Sequence, residues 1–161
     1  MPSILIVCTA NICRSPLAEV ILRQLLATKP DAAQWKIASA GTWAMYGAPA
    51  AEYSQRIAQT MGTDLSQHRS QPVTPELLQR YDLVLTMERK QKEGLILQYV
   101  THARKIFMLS EMVGKLEDVP DPIGHDLADY QATANLMHHY LSDGLGKIQF
   151  LAEKNDAAVV D

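Results

Sequence analysis

An aliphatic run that leads into a short polar loop and then into a helix constrains this chain more than any other feature. Residues 4–7 are all aliphatic and predict a strand that is covered on both faces. Cys8 and Arg14 stand at the two ends of the loop that follows, and Ser15 with Pro16 predicts a helix start capped by Ser15. Such a junction points several backbone N–H groups into one concavity at the positive end of the helix dipole. The stretch therefore predicts an anion-binding loop.

The two end residues of this loop carry the groups needed to attack a phosphoryl group. The N–H groups and the charge of Arg14 favour the thiolate form of Cys8, and the Arg14 guanidinium matches two oxygens of a phosphate. A Cys-x5-Arg spacing is common by chance, and a free cysteine at a strand end is usually a small buried apolar residue. The strand before the loop and the proline-led helix after it favour a cysteine nucleophile in an anion cradle.

Strands and helices alternate along the rest of the chain. Strands are predicted at 3–7, 35–39, 83–87 and 105–109, and helices at 16–29, 49–61, 75–80, 88–100 and from Asp126 past Ile148, where Gly144 and Gly146 allow a kink or an early end. This alternation predicts an α/β fold with three layers, in which helices cover both faces of a four-stranded parallel sheet. The loops at 40–47 and 110–125 leave the same sheet edge as Cys8, where such sheets bind ligands.

Length, charge and cysteine content limit the function classes further. The 161 residues predict a single domain over 1–161 with frayed last residues, and a net charge of -3 provides no basic field for nucleic acid or an anionic membrane. The start of the chain lacks signal-peptide features, and two cysteines five apart build no disulfide framework, so we expect a cytoplasmic protein. No histidine has ligand spacing with the cysteines, so no metal and no cofactor are expected.

Four segments together resemble the low-molecular-weight protein tyrosine phosphatases: residues 8–16, 39–42, 81–87 and 119–122. The resemblance runs along nearly the whole chain and implies hydrolysis of phosphotyrosine through a phosphocysteine on Cys8. It implies that Asp121, between two prolines, is the general acid and then the base. It also assigns phosphate and substrate contacts to Thr9, Ala10, Asn11, Ile12, Cys13, Arg14 and Ser15. The chain departs from the family pattern at Ala10, where glycine is usual, at Gln71, where arginine is usual, and at Ile123, where an aromatic is frequent.

The resemblance implies roles for several further side chains, each with a simpler alternative. Ser15 would donate a hydrogen bond to the Cys8 sulfur, and Ser39 and His68 would join Asn11 in a buried network, unless His68 is a surface-loop histidine. Cys13 would form a reversible disulfide with Cys8, or be an inert packed thiol. The rim of the site would consist of Ile12, Trp43, Met45 and Tyr46, with ordinary half-buried packing as the alternative for Trp43 and Tyr46.

Three functions remain open at this point. The first is a phosphotyrosine phosphatase, acting on a phosphotyrosine-containing protein such as a cognate bacterial tyrosine kinase and inhibited by phosphate or other oxyanions. In the related protein-arginine phosphatases a threonine replaces Ile12, so Ile12 favours phosphotyrosine. The second is an arsenate reductase of the same fold, which needs further cysteines downstream, and none follows Cys13. The third is a non-catalytic phosphotyrosine-binding module, which has no use for Asp121.

Overall fold

A computed structural model describes residues 1–158 and confirms the predicted α/β fold. The strands are β1 (Ser3–Cys8), β2 (Lys36–Gly41), β3 (Leu83–Thr86) and β4 (Ile106–Met108), and the helices are α1 (Arg14–Ala27), α2 (Glu52–Thr60), α3 (Pro75–Arg80), α4 (Arg89–Gln98), α5 (Leu127–Asp143) and α6 (Leu145–Ala158). The four strands form one parallel sheet in the order β2-β1-β3-β4. The last residues, predicted to fray, include positions 159–161, which lie outside the described part of the chain.

The central strand β1 divides the apolar core into two halves. Successive side chains of a strand point to opposite faces of the sheet. Ile4 and Ile6 join the cluster formed by α1, α2, α5 and α6, and Leu5 and Val7 join the cluster formed with α3 and α4. All four side chains are fully buried, as their aliphatic run predicts. The two clusters hold helices on both faces of the sheet.

The start of α1 differs from the sequence prediction. The helix begins at Arg14 with Cys13 at the cap position, so Ser15 is a helical residue and not the cap. Pro16 still lies in the first turn, where its missing N–H removes no intrahelical hydrogen bond. The Ser15 hydroxyl contacts the Cys8 sulfur and the Asn11 side chain. These partners across the loop occupy the hydroxyl, which explains why it does not cap the helix.

The C-terminal helix predicted as one element is two. The helix α5 ends at Asp143, and α6 starts at Leu145 after the capping residue Gly144. A Cβ on Gly144 would lie only 2.6 Å from the Met112 Cβ, so the break occurs at a close approach. Met112 belongs to a 3-10 turn at Leu109–Val113, which corrects the prediction of an irregular loop throughout 110–125. None of the helices within residues 1–158 has the length and apolar character needed to cross a bilayer.

Two further helices are shorter than predicted. The helix α2 starts at Glu52 instead of 49, and α4 ends at Gln98, followed by a 3-10 turn at Val100–Lys105. At the start of α4 the Gln91 side-chain oxygen accepts from the backbone N–H groups of Met87 and Glu88, at 3.0 and 2.9 Å. This start of α4 lies beyond the carboxyl end of β3 and therefore next to the loop that follows β1.

Candidate active site

The loop after β1 surrounds a cavity of about 130 Å³ at the carboxyl edge of the sheet. Cys8, Arg14 and Asp121 line this cavity together. The other lining residues are Thr9, Ala10, Ile12, Cys13 and Ile123. A cysteine, a guanidinium and a carboxyl from segments more than 100 residues apart thus face one small space, which we call the catalytic cavity.

Arg14 is only 1% exposed, and its guanidinium is contacted on several sides. Its Nη1 donates to the Val119 carbonyl oxygen at 2.8 Å and lies 3.3 Å from a Glu88 carboxylate oxygen. Its Nη2 lies 3.4 Å from a carboxylate oxygen of Asp121. Its Nε is buried and has no hydrogen-bond partner within residues 1–158. The fork is therefore fixed in place while one donor remains available to a ligand.

The Cys8 sulfur lies beside a hydroxyl that can donate to it. Ser15 Oγ is 3.0 Å from Cys8 Sγ, and the Asn11 amide donates to the same hydroxyl oxygen at 2.7 Å. Because that oxygen accepts from Asn11, its own hydrogen is free to point at the sulfur. The arrangement stabilises negative charge on the sulfur.

Asn11, not Ala10, has the unusual backbone conformation of this loop. Its φ is 59°, in the left-handed region that asparagine tolerates better than most residues, and it is the one non-glycine residue with positive φ within residues 1–158. The departure from the family's glycine at Ala10 therefore forces no left-handed angle there.

A hydrogen-bond network around Asn11 holds this conformation. Its side-chain amide donates to Ser39 Oγ at 3.0 Å, its side-chain oxygen accepts from the Gln71 N–H at 3.0 Å, and its carbonyl oxygen lies 2.7 Å from His68 Nε2. His68 is half-buried. The structure therefore brings Ser39 and His68 into contact with Asn11, whereas a solvated surface histidine would lack this contact.

Gly41 permits the end of β2 to lie against the loop. A Cβ there would be closest to the Thr9 carbonyl oxygen, 2.7 Å from the Ala44 Cβ and 3.0 Å from the Asn11 nitrogen. The following N–H groups donate back to the loop, from Thr42 to the Cys8 oxygen and from Trp43 to the Thr9 oxygen, each at 2.9 Å. A side chain at position 41 has no space.

Glu88 and Gln91 are contacts of the site that the sequence interpretation did not identify. The Gln91 side chain donates to Thr9 Oγ1 at 3.0 Å and to the Glu88 carboxylate at 2.8 Å. Glu88 in turn faces Arg14. The sequence contained one indication that Glu88 and Gln91 lie near the site: polar residues that directly follow a buried strand lie at the same sheet edge as Cys8. The contact from the Val119 carbonyl could not be predicted in this way, because it is made by a backbone group.

Only one of the four predicted rim residues lines the catalytic cavity. Ile12 lines the catalytic cavity, but the exposed side chains of Trp43, Met45 and Tyr46 do not. Trp43 is 86% exposed and Tyr46 is 73% exposed, so the half-buried packing considered for them is wrong. Trp43 lines a neighbouring cavity instead.

The two cysteines have different surroundings. The Cys13 sulfur lies 3.3 Å from the Tyr130 hydroxyl, and burial raises the pKa of the Cys13 thiol to about 11. Burial, with the hydrogen bond to Cys13, also raises the pKa of Tyr130. Cys13 therefore remains a protonated thiol at neutral pH, which leaves Cys8 as the candidate nucleophile towards a phosphoryl group.

No group of three or more His, Cys, Asp or Glu side chains suited to a metal ion occurs within residues 1–158. The acidic side chains nearest the cavity, Glu88 and Asp121, both pair with Arg14. The single positive charge of the guanidinium thus offsets one of these two carboxylate charges.

Comparison with known proteins agrees with this geometry. The model of the family described as low molecular weight phosphotyrosine protein phosphatase matches residues 3–154. A low molecular weight protein-tyrosine-phosphatase of Acinetobacter johnsonii is 36% identical over 141 residues, which cover 88% of this chain and 94% of that protein. A protein-arginine-phosphatase of Bacillus subtilis is 32% identical over 139 residues, covering 86% of this chain and 91% of that protein.

A solved structure gives the same result for the fold. The low molecular weight protein tyrosine phosphatase of T. tengcongensis superposes with a TM-score of 0.82 at 37% identity, covering 91% of this chain and 99% of that chain. The family match covers all four strands and includes Cys8, Arg14 and Asp121 of the catalytic cavity. The chain therefore belongs to the low molecular weight phosphotyrosine protein phosphatase family and is an enzyme of that class.

Proposed function

We propose that this enzyme hydrolyses phosphotyrosine in proteins through a phosphocysteine intermediate on Cys8. The observation that carries the proposal is the buried Arg14 guanidinium beside Cys8, whose Nε has no partner within residues 1–158. A buried donor without an acceptor costs on the order of 1–3 kcal/mol, so a ligand that brings an oxygen there is favoured. A phosphate group brings that oxygen and places others against the loop N–H groups. Inorganic phosphate and similar oxyanions are then competitive inhibitors.

In the first step the Cys8 thiolate attacks phosphorus. The S–P bond forms while the bond from phosphorus to the phenolic oxygen breaks, and the departing oxygen takes a proton from the Asp121 carboxyl. Asp121 is suited to this role because it lines the same cavity as Cys8. The Ile123 N–H donates to its Oδ1 at 3.1 Å and orients the carboxyl.

In the second step water attacks the phosphorus of the phosphocysteine. Asp121, now a carboxylate, takes a proton from this water, and the S–P bond breaks to release phosphate and the Cys8 thiolate. The Ser15 hydroxyl, 3.0 Å from the sulfur, stabilises the negative charge that returns to it. One carboxyl thus serves as acid and then as base.

The side walls of the catalytic cavity favour an aryl phosphate as substrate. Ile12 and Ile123 line the cavity and present apolar surface on which a phenyl ring packs. Neither side chain accepts a hydrogen bond from the guanidinium N–H groups of phosphoarginine. Phosphoarginine is the second candidate, because the arginine phosphatase of Bacillus subtilis is 32% identical to this chain.

We further propose a cytoplasmic enzyme, since a thiolate nucleophile requires a reducing compartment. A phosphorylated bacterial tyrosine kinase is then a candidate protein substrate.

Cys13 lines the same cavity as Cys8 and would protect it during oxidation. Peroxide oxidises the Cys8 thiolate to the sulfenic acid and is itself reduced to hydroxide. The Cys13 sulfur then attacks the Cys8 sulfur; the S–S bond forms while the S–O bond breaks, and the departing hydroxide takes the proton of the Cys13 thiol and leaves as water.

Hydrolysis of p-nitrophenyl phosphate and phenyl phosphate, in reducing buffer with EDTA, tests the mechanism. We expect turnover by the wild type and none by Cys8→Ser. We expect Asp121→Asn to lower kcat for phenyl phosphate by about 10²-fold or more. Its effect on p-nitrophenyl phosphate is smaller, because p-nitrophenolate leaves readily without a proton. The control is Asp143→Asn, which changes an exposed carboxylate paired with His139 at the end of α5.

Three results would contradict the proposal. Folded wild type without turnover would leave phosphotyrosine binding without catalysis as the function. Activity retained in Cys8→Ser would refute the covalent intermediate. Matched peptides carrying phosphotyrosine or phosphoarginine decide the substrate, and a higher kcat/KM for phosphoarginine would refute our assignment.

A further inference from the structure

A second, larger cavity adjoins the catalytic cavity and is not used by the mechanism. Its volume is about 410 Å³, compared with about 130 Å³ for the catalytic cavity. Thr9 lines both cavities, so the two spaces meet at this residue of the loop. We call the larger space the lateral cavity. A ligand in the catalytic cavity that continues along the surface past Thr9 enters it.

The walls of the lateral cavity combine apolar surface with one positive charge. Trp43, Val73, Leu95 and Tyr99 supply the apolar part, and Lys90 is the only lining residue with a formal charge. Trp43 is 86% exposed, and its backbone N–H donates to the Thr9 carbonyl oxygen. The backbone of Trp43 is therefore anchored to the loop, while its uncovered indole provides surface for a bound chain.

The charge of Lys90 has no partner among the described residues, in contrast to its neighbours on α4. Arg89 pairs with Glu93 at 3.1 Å, and Lys92 pairs with Glu111 at 2.8 Å. Lys90 forms no ion pair within residues 1–158. An acidic side chain in the lateral cavity would therefore meet an available cation.

Gly94 leaves one wall of the lateral cavity open. It lies on α4 with no atom within 4 Å of the place where a Cβ would be, and helix interiors usually disfavour glycine by about 1 kcal/mol relative to alanine. A side chain at this position would project into free space without disturbing the fold. Gly94 is thus a position where the cavity can be narrowed without touching the catalytic residues.

We propose that the lateral cavity is a specificity subsite, which holds an acidic side chain close in sequence to the phosphotyrosine of the protein substrate. This inference rests on the proposed function, since it requires a phosphorylated peptide in the catalytic cavity. Each extended residue spans about 3.3–3.6 Å, so the acidic residue lies within a few positions of the phosphotyrosine. Lys90 pairs with its carboxylate, and Trp43 covers its neighbouring backbone.

The test compares phosphotyrosine peptides with p-nitrophenyl phosphate, which is too small to reach the lateral cavity. Each peptide carries a single glutamate at one position, between three residues before and three residues after the phosphotyrosine. A matched peptide carries glutamine at that position. We expect glutamate at one or two positions to raise kcat/KM about two- to fivefold, the range of an exposed ion pair. Lys90→Gln should abolish this preference, whereas Lys154→Gln on α6 should preserve it.

The second variant narrows the cavity. We expect Gly94→Leu to lower kcat/KM for the peptides by about tenfold, because a displaced peptide misaligns its phosphotyrosine. Hydrolysis of p-nitrophenyl phosphate should stay unchanged, which separates failure of the subsite from failure of the catalytic proposal. The matched control is Gly146→Leu, at another helical glycine with nothing within 4 Å of its added Cβ.

Several outcomes would overturn the subsite. Equal losses on peptides and p-nitrophenyl phosphate in Gly94→Leu would mean that the change damages the catalytic site itself. Unchanged peptide kinetics in Gly94→Leu would mean that the cavity stays empty during turnover. Equal kcat/KM for the glutamate and glutamine peptides at every position, or a glutamate preference that survives Lys90→Gln, would refute the acidic occupant.

Discussion

Replacing Gly41 with alanine places a methyl group against the backbone of the phosphate-binding loop. The added Cβ would be nearest to the Thr9 carbonyl oxygen and only 2.7 Å from the Ala44 Cβ, well inside ordinary contact at 3.4–4 Å. The Thr9 oxygen accepts the Trp43 N–H at 2.9 Å. Movement of Thr9 away from the methyl group therefore strains or breaks this hydrogen bond and shifts the residue next to Cys8.

The size of the effect follows from the overlap with backbone atoms. Backbone atoms cannot rotate away as the end of a side chain does, so the overpacking should cost about 1–3 kcal/mol of the free energy of unfolding. A displacement of the loop by about 1 Å can reduce kcat/KM up to about 10²-fold. The loss of activity should therefore exceed what the loss of stability alone predicts, because the folded fraction remains high.

Urea unfolding followed by circular dichroism measures the first quantity, and p-nitrophenyl phosphate hydrolysis at 25 °C measures the second. The control is Gly146→Ala in the first turn of α6, where nothing lies within 4 Å of the added Cβ, so neither stability nor activity should fall. Gly41→Ala with wild-type stability and kcat/KM would refute the argument that close approach at this position shapes the loop.

Two further predictions concern the loop itself. Ser15→Ala removes the hydroxyl that lies 3.0 Å from the Cys8 sulfur. We expect kcat to fall about tenfold or more, because a hydrogen bond to a charged group contributes about 1.5–3 kcal/mol. An unchanged kcat would contradict this role of Ser15. For Cys13, burial raises the pKa to about 11 from 9.0, so its contribution to folding stability is full below pH 9 and is lost as the pH rises towards 11. Thiolate absorbance at 240 nm in a Cys8→Ser variant should stay low at pH 9, and half or more of the full thiolate signal at that pH would contradict the assignment.

Much of the fold and of the chemistry could be predicted from local patterns. The aliphatic run at 4–7 predicted a strand covered on both faces, and its side chains are fully buried on both sides of the sheet. The helix α3 has the predicted limits because Thr74 caps it and Pro75 follows, both signals that act within one turn. The positions of Cys8 and Asp121 at one edge follow from the rule that parallel strands direct their carboxyl ends to the same side.

Local sequence patterns could not predict the contacts between segments that are distant in the chain. The fixed position of the Arg14 guanidinium depends on the Val119 carbonyl oxygen, which belongs to a segment more than 100 residues away in the chain. The division of the last helix depends on the close approach of Met112 to Gly144. In each case the deciding atom belongs to a residue whose proximity is not encoded in the local spacing.

The sequence by itself determined the alternation of strands and helices, because each element depends on neighbours within a few residues. It also gave the prediction of an anion-binding loop at residues 8–14, since that prediction rests on one strand, one loop and one helix start. Only the tertiary structure decided how Arg14 is held between Glu88, Asp121 and the Val119 carbonyl, and that a lateral cavity adjoins Thr9. These features arise where the crossovers of a parallel sheet bring separate loops together. Their geometry depends on the packing of the whole sheet and its helices, which no local stretch of the chain specifies.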